Sequence, residues 1–227
     1  AQLGSKTSLS LYVHIPFCAQ MCWYCGCSTK VIRSREPITE YLDALTQEMT
    51  MVAALRTSGQ PISHLHWGGG TPNILTPAEI ARLADDVRAQ FRIAPNAEFA
   101  VEIDPRTFSK EQAKAFADAG VTRASIGVQD FDPAVQRAIN RIQSFEITQD
   151  CIEALRAAGI ASVNIDLIYG LPYQTRSGIA RTVERVLELA PDRVAIFGYA
   201  HLPDRAKHQR LIDSSVLPNT VERFALS

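Results

Sequence analysis

The chain has 227 residues, enough for one sizeable core, with 23 Lys and Arg against 24 Asp and Glu and a hydrophobic content of 46%. A net charge of −1 leaves no electrostatic footprint for a nucleic acid or an anionic membrane. No apolar run approaches the roughly 18 residues of a membrane span, and the opening AQLGSKTSLS has neither the basic nor the apolar region of a secretory signal. In chain order, short β-branched runs are expected as strands at SLSLYVHI (8–15), ISHLHW (62–67), EFAVEI (98–103), RASIGVQ (123–129), SVNIDLIYG (162–170) and RVAIFGYA (193–200). Helical periods fall near 39–57, 77–91, 109–119, 132–139, 145–158 and 176–189. Thr76-Pro77 and Ser109 sit where helices start, and Gly120 and Gly159 where they stop. The closing TVERFALS carries the spacing of one more helix beginning.

Six strand–helix repeats imply parallel strands joined by right-handed crossovers, which suits both an open doubly wound sheet and a (β/α) barrel. The faces of the strands favour the barrel. Leu11, Val13 and Ile15 oppose Tyr12 and His14, while Val101 and Ile103 oppose Ala100, Glu102 and Asp104. Ile126 and Val128 oppose Ser125, Gly127 and Gln129, and Val163, Ile165 and Leu167 oppose Asn164 and Asp166. A strand buried between two helix layers is apolar on both faces. Strands with one polar or small face instead predict a curved α/β sheet with helices outside and a polar, ligand-sized interior. Six units are too few to close the eight-stranded barrel, so the expected fold is a six-unit partial barrel.

The chemistry concentrates in Cys18-Ala-Gln-Met-Cys22-Trp-Tyr-Cys25. Four of the five cysteines fall within ten positions, a distribution of a metal site in a reducing compartment, so the cytoplasm is the expected location. Three thiolates on one irregular loop can wrap a four-iron cluster and leave one iron open to a small molecule. A zinc site with Cys27 as fourth ligand is the competing reading, disfavoured because Cys25-Gly26-Cys27 is too tight for comfortable tetrahedral chelation. Gly68-Gly69-Gly70-Thr71 ends the second strand, where absent side chains let backbone groups approach a ligand. Cys151 and Trp67 read as core. His14 faces inward, and His64, His66 and His201 show no metal-ligand spacing.

The C-x3-C-x2-C string after the first strand, with Tyr24 before the last Cys, resembles the radical S-adenosylmethionine (SAM) superfamily, whose fold is a six-unit partial barrel. That resemblance implies a [4Fe–4S] cluster on Cys18, Cys22 and Cys25 whose open iron chelates SAM, which reduction cleaves to methionine and a 5′-deoxyadenosyl radical. LYVHIPFC, Cys27, HLHWGGGTP, VEIDPR, GVQDF, INR, NIDLIYGLP and YAHLP narrow it, being similar in order to the oxygen-independent coproporphyrinogen III oxidase (dehydrogenase) family. Residues 1–227 would then be the barrel core, a fragment without the family's N-terminal segment and C-terminal domain. The family resemblance places Tyr12, Gly69, Gly70, Thr71, Glu102 and Ala200 at a first SAM. It places Tyr24, Gly70, Thr71, Gln129, Arg141 and Asp166 at a second.

The implied reaction is oxidative decarboxylation of two propionates of coproporphyrinogen III to vinyls, giving protoporphyrinogen IX. It needs an external one-electron donor, and a monomer without nucleic-acid or membrane partners is expected. The fragment itself is expected to bind SAM and to decarboxylate coproporphyrinogen III poorly or not at all. A radical SAM haem chaperone shares LYVHIPFC and GGGTP but not Cys27 and YAHLP; a metal-binding module without catalysis is the alternative from another class.

Overall fold

The computed structural model describes residues 7–55 and 60–226. Six strands form one parallel sheet: β1 (Leu9–Ile15), β4 (Ile62–Gly69), β5 (Ile93–Ile103), β6 (Arg123–Gln129), β7 (Ser162–Tyr169) and β8 (Arg193–Gly198). Two residues at the base of the Cys loop, β2 (Phe17–Cys18), pair in parallel with β3 (Lys30–Val31). The helices are α1 (Glu36–Ala54), α2 (Pro77–Gln90), α3 (Lys110–Asp118), α4 (Pro133–Ala138), α5 (Phe145–Ala157), α6 (Arg176–Glu188) and α7 (Thr220–Leu226). The sheet order β1-β4-β5-β6-β7-β8 follows the chain and never reverses, which excludes the doubly wound alternative. Among the described residues β1 and β8 pair only on one side, so the sheet is open.

Alternation builds the two faces as the sequence predicts. Val13, Ile15, Val101, Ile103, Ile126, Val128, Val163, Ile165 and Leu167 are all buried on the helix side. Trp67 is fully buried there with Phe99 and Phe116 at ring-centroid distances of 4.9 and 6.5 Å. Cys151 is buried in the same core. On β8 the outward Val194 and Ile196 stay exposed, leaving this edge less covered than the rest of the sheet.

Boundaries differ from expectation in explicable places. Helix α1 starts at Glu36, because Pro37 near its first position has its backbone angle preset for a helix; the expected end at 56–57 lies outside the described residues. Strand β5 starts at Ile93 instead of 98: its register with β4 jumps from Ile62↔Ile93 to His64↔Glu98, and the extra residues bulge out around exposed Pro95, which has no N–H to give a ladder. Helix α2 starts as expected. Thr76 Oγ1 accepts the Glu79 N–H at 3.3 Å while the Glu79 carboxylate accepts the Thr76 N–H at 2.7 Å, a reciprocal capping box. Thr76→Ala should lower unfolding free energy by about 1 kcal/mol, read as a lower midpoint at unchanged slope in urea.

Candidate functional site

At the C-terminal ends of the strands lies a cavity of about 860 Å³. Its wall takes Gly69 from β4, Glu102 from β5, Ser125, Gly127 and Gln129 from β6, and Asp166 and Ile168 from β7. The Cys loop forms one side, and residues from the stretch 197–209 complete the lining. Cys18, Cys22, Tyr24, Cys25, Gly70, Thr71, Arg141 and Ala200 all line this one space, as the sequence reading requires.

The Cys loop is held at its base and along its backbone. At the base, β2 and β3 bracket it, and Cys18 Sγ is 3.2 Å from Thr29 Oγ1. Asn140 Nδ2 donates to the Met21 carbonyl at 2.8 Å, and the Trp23 N–H to Ile139 O at 2.9 Å. From the far end of the chain, Gln209 Nε2 donates to Tyr24 O at 3.0 Å and His208 Nε2–H to Cys25 O at 2.6 Å. This strap anchors the loop across the cavity mouth.

Each thiol has its own surroundings. Burial pushes the Cys18 thiol up. The Cys27 side-chain hydrogen bond, and then burial, push Cys25 up; the same hydrogen bond lowers exposed Cys27. Buried Cys22 faces two guanidinium groups, with Arg106 Nη2 at 3.4 Å and Arg141 Nη1 at 3.6 Å from its sulfur. Asp104 joins these cations: its Oδ2 accepts from Arg106 Nη2 at 2.6 Å, and its Oδ1 lies 3.4 Å from Arg141 Nη2. Burial opposes ionisation of Asp104, but the Arg106 hydrogen bond and the two positive charges outweigh it and hold the carboxyl below its usual range.

The other wall is organised around Glu102 and Asp166. Glu102 Oε2 accepts the Gly69 N–H at 3.0 Å, and Oε1 accepts from His66 Nε2 at 3.1 Å. Tyr12, exposed on the same sheet face, stacks on His66 at 5.6 Å and lies outside the cavity wall. Its hydroxyl donates to His14 Nδ1 at 3.0 Å, because His14 Nε2–H is committed to the Ser28 carbonyl. Asp166 accepts from Ser125 Oγ at 2.9 Å and Asn164 Nδ2 at 2.8 Å, and burial raises its pKa. Gln129 reaches the cavity through a bulge: it pairs with Leu167, a residue of the opposite face, but its φ of 71° turns its side chain back over Gly127.

The glycine turn is built for close approach. Gly69 has φ 116°, a region L side chains avoid, and a Cβ on Gly70 would stand 2.4 Å from Phe17 O. Gly70→Ala should therefore push the turn off the Cys loop. A loss of about 1–3 kcal/mol, the range for overpacking, is expected in chemical unfolding of the apo chain; unchanged stability would show that the turn has room to shift.

Among the described residues no group of three or more His, Cys, Asp or Glu converges on a point that could hold a single metal ion. A tetrahedral zinc would need sulfurs only about 3.8 Å apart, given Zn–S bonds near 2.3 Å. Thiolates at separate corners of a cluster need no common point, and three cysteines around one side of a cavity suit that geometry better.

The sequence profile of the Radical SAM superfamily matches residues 12–186. The chain belongs to the radical SAM superfamily. Within this radical SAM group, it is 51% identical over 219 residues to the oxygen-independent coproporphyrinogen III oxidase of Bradyrhizobium diazoefficiens, covering 96% of this chain and 49% of that protein. The Escherichia coli protein of the same description is 45% identical over 216 residues, 95% of this chain and 47% of that one. The solved structure of coproporphyrinogen III oxidase (HemN) from Escherichia coli superposes with a TM-score of 0.94 at 43% identity, covering 98% of this chain and 51% of the other. The chain thus spans about half the length of these relatives. The radical SAM methyltransferase TsrM from Kitasatospora setae shares the fold alone, with a TM-score of 0.63 at 18% identity.

Sequence reasoning missed Asp104 and Arg106 as site residues, although VEIDPR (101–106) carries both at the C-terminal end of β5. It also missed the part His66 plays beneath Glu102, and the strap of His208 and Gln209. Among the described residues no helix is long and apolar enough to cross a membrane.

Proposed function

We propose that this chain forms the cofactor-binding barrel of an oxygen-independent coproporphyrinogen III oxidase. The observation that carries this is the single cavity joining Cys18, Cys22 and Cys25 to the Gly69-Gly70-Thr71 turn, Glu102 and Asp166; the names of its relatives support the substrate. Cys18, Cys22 and Cys25 would hold a [4Fe–4S] cluster, and Cys27 would line the pocket. Gly69, Gly70 and Thr71, backed by Glu102, would seat the methionine end of a first SAM, with Tyr12 and Ala200 at its edges. Tyr24, Gln129, Arg141 and Asp166, with Gly70 and Thr71, would hold a second. Cluster and SAM, when bound, would supply a deoxyadenosyl radical able to abstract hydrogen from an unactivated propionate carbon.

The protein's own contribution is positional. Glu102, fixed by the Gly69 amide and His66, presents a carboxylate to a ligand's amino or hydroxyl groups. Asp166 is oriented by Ser125 and Asn164 toward the same space. The strap and the Cys loop both line the cavity and would shield part of it from water. The substrate is coproporphyrinogen III, the electron comes from an external one-electron donor, and the compartment is the reducing cytoplasm.

Anaerobic reconstitution with iron and sulfide, addition of SAM and a low-potential reductant, and assay of deoxyadenosine with and without coproporphyrinogen III test the reading. Deoxyadenosine formation accompanied by divinyl porphyrinogen supports it. Deoxyadenosine without decarboxylated product fits a chain spanning half of its relatives' length; the same outcome in a chain extended to that full length would overturn the substrate and leave SAM cleavage. No deoxyadenosine at all would overturn the radical chemistry.

A further inference from the structure

Arg106 has no role in the reading above, yet its guanidinium is the closest charged donor to a cluster-ligand sulfur. Its Nη2 sits 2.6 Å from Asp104 Oδ2 and 3.4 Å from Cys22 Sγ, so one edge of the fork addresses the carboxylate and the thiol together. The Nε atom fixes that pose with a further bond of 2.9 Å to Asp104 Oδ1. Arg141 approaches from β6's side, with Nη2 donating to Gly127 O at 2.6 Å and Nη1 3.6 Å from the same sulfur. All three charged side chains are largely buried, at 13%, 15% and 7% exposure for Arg106, Asp104 and Arg141. Two guanidinium cations against one carboxylate leave one positive charge uncompensated beside Cys22. Asp104 takes Arg106 as its tight partner and holds Arg141 more loosely, and both guanidinium groups reach the Cys22 sulfur, Arg106 at the shorter distance. Among the described residues the hydrogen-bond partners of Cys18 and Cys25 are the Thr29 hydroxyl and, for Cys25, the Cys27 side chain and backbone N–H, with no guanidinium on either sulfur.

We propose that Arg106 is a positioning residue that tunes electron uptake: held by Asp104, it donates a charge-assisted N–H···S hydrogen bond to Cys22 and raises the reduction potential of the cluster that Cys22 helps hold. The inference rests on the cluster assignment made above. One electron arriving from an external low-potential donor makes the site more negative by one unit, with no proton transferred and no bond broken. A fixed positive charge in a poorly solvated position favours the product of that step over the reactant. Hydrogen bonds to ligand sulfurs are among the levers by which proteins set such potentials. The device is asymmetric, since it acts on one of the three ligands.

The test is an anaerobic redox titration of the reconstituted full chain, followed by the electron paramagnetic resonance signal of the reduced cluster. Arg106→Gln keeps a neutral donor and loses the charge. At equal iron content, about a tenfold smaller ratio of reduced to oxidised cluster at a fixed donor potential is expected, equivalent to about 59 mV for a one-electron couple. Arg106→Lys, which keeps the charge on a different geometry, should lose less. A purely structural Arg106 would alter iron retention or stability and leave the potential of loaded protein unchanged; that result overturns the proposal. Should Arg106→Gln fail to load, the unsubstituted chain made with ¹⁵N-guanidino arginine answers the question. A nitrogen hyperfine coupling to the reduced cluster larger than the one left in equally labelled Arg106→Lys, where Arg141 alone contributes, is expected, and equal coupling in the two overturns the proposal. An unsubstituted chain that takes up no cluster overturns the assignment beneath it instead.

Discussion

Replacing Cys18, Cys22 or Cys25 singly by Ser should abolish cluster assembly, from about four irons per chain to near zero, whereas Cys27→Ser should retain it. Iron–sulfur clusters require thiolate ligands, and a cube held by three has no redundancy among them. The structure separates the fourth cysteine by its circumstances. Cys27 is exposed and donates its backbone N–H to the Cys25 sulfur, while Cys22 is buried under two guanidinium groups and Cys18 is anchored to Thr29. Anaerobic iron and sulfide counting on the four variants checks this. Full loss in Cys27→Ser with retention in Cys22→Ser would sink the ligand assignment. Loss confined to the three would also dispose of a four-thiolate zinc site, which Cys27→Ser would weaken as much as the others.

Asp104→Asn should be the most damaging single change to the fold of the apo chain. It leaves Arg106 and Arg141 without their shared anion in a largely buried position, and breaking a buried pair of this kind typically costs about 3–5 kcal/mol. For a chain of this size that corresponds to a thermal midpoint lower by roughly 6–20 °C. Combining it with Arg106→Gln should do less harm than the sum of the two, because the groups share one network. The effect also has a pH signature. The folded carboxyl is held below its ordinary range, so between the folded and unfolded pKa values the unfolded chain binds more protons and stability rises with pH. The contribution is fully present above the ordinary carboxylate range and is lost as pH falls through the folded value. The gap in stability between unsubstituted chain and Asp104→Asn should therefore close on acidification; a gap that stays constant into the acid range would show that Asp104 contributes by shape and not by charge.

Much of the fold was legible because the same alternation recurs strand after strand. The pattern of apolar Val163, Ile165 and Leu167 against Asn164 and Asp166 needs no tertiary information, and the parallel consecutive sheet follows from the six strand–helix repeats. Gln129 shows where such reading is right through a different route. Counting in twos puts it inside, but the register slips at Val128, and it reaches the cavity by a left-handed turn of the backbone. Starts of elements were less legible where proline intervened, as at Pro37 and Pro95. Of the site, the closely spaced Cys loop and glycine turn declared themselves. Asp104 and Arg106 did not, because their meaning lies in Cys22 and Arg141, the first 84 residues from Arg106 and the second 37 from Asp104 along the chain. A charge at a strand end looks like solvated surface until the fold brings its partners to it.

The strap from His208 and Gln209 to the Cys loop has a consequence for biogenesis. The bond from His208 to the Cys25 carbonyl spans 183 residues. At ribosomal speeds of 5–20 residues per second, roughly 10–40 s pass between synthesis of the cysteines and of the residues that brace them. Through that interval the nascent thiols have no brace from the strap and are open to oxidants or to stray metal. Delivery of iron and sulfide is accordingly best timed after translation has passed Gln209, and a ribosome stalled just before that codon should carry a nascent chain whose cysteines react readily with alkylating reagents.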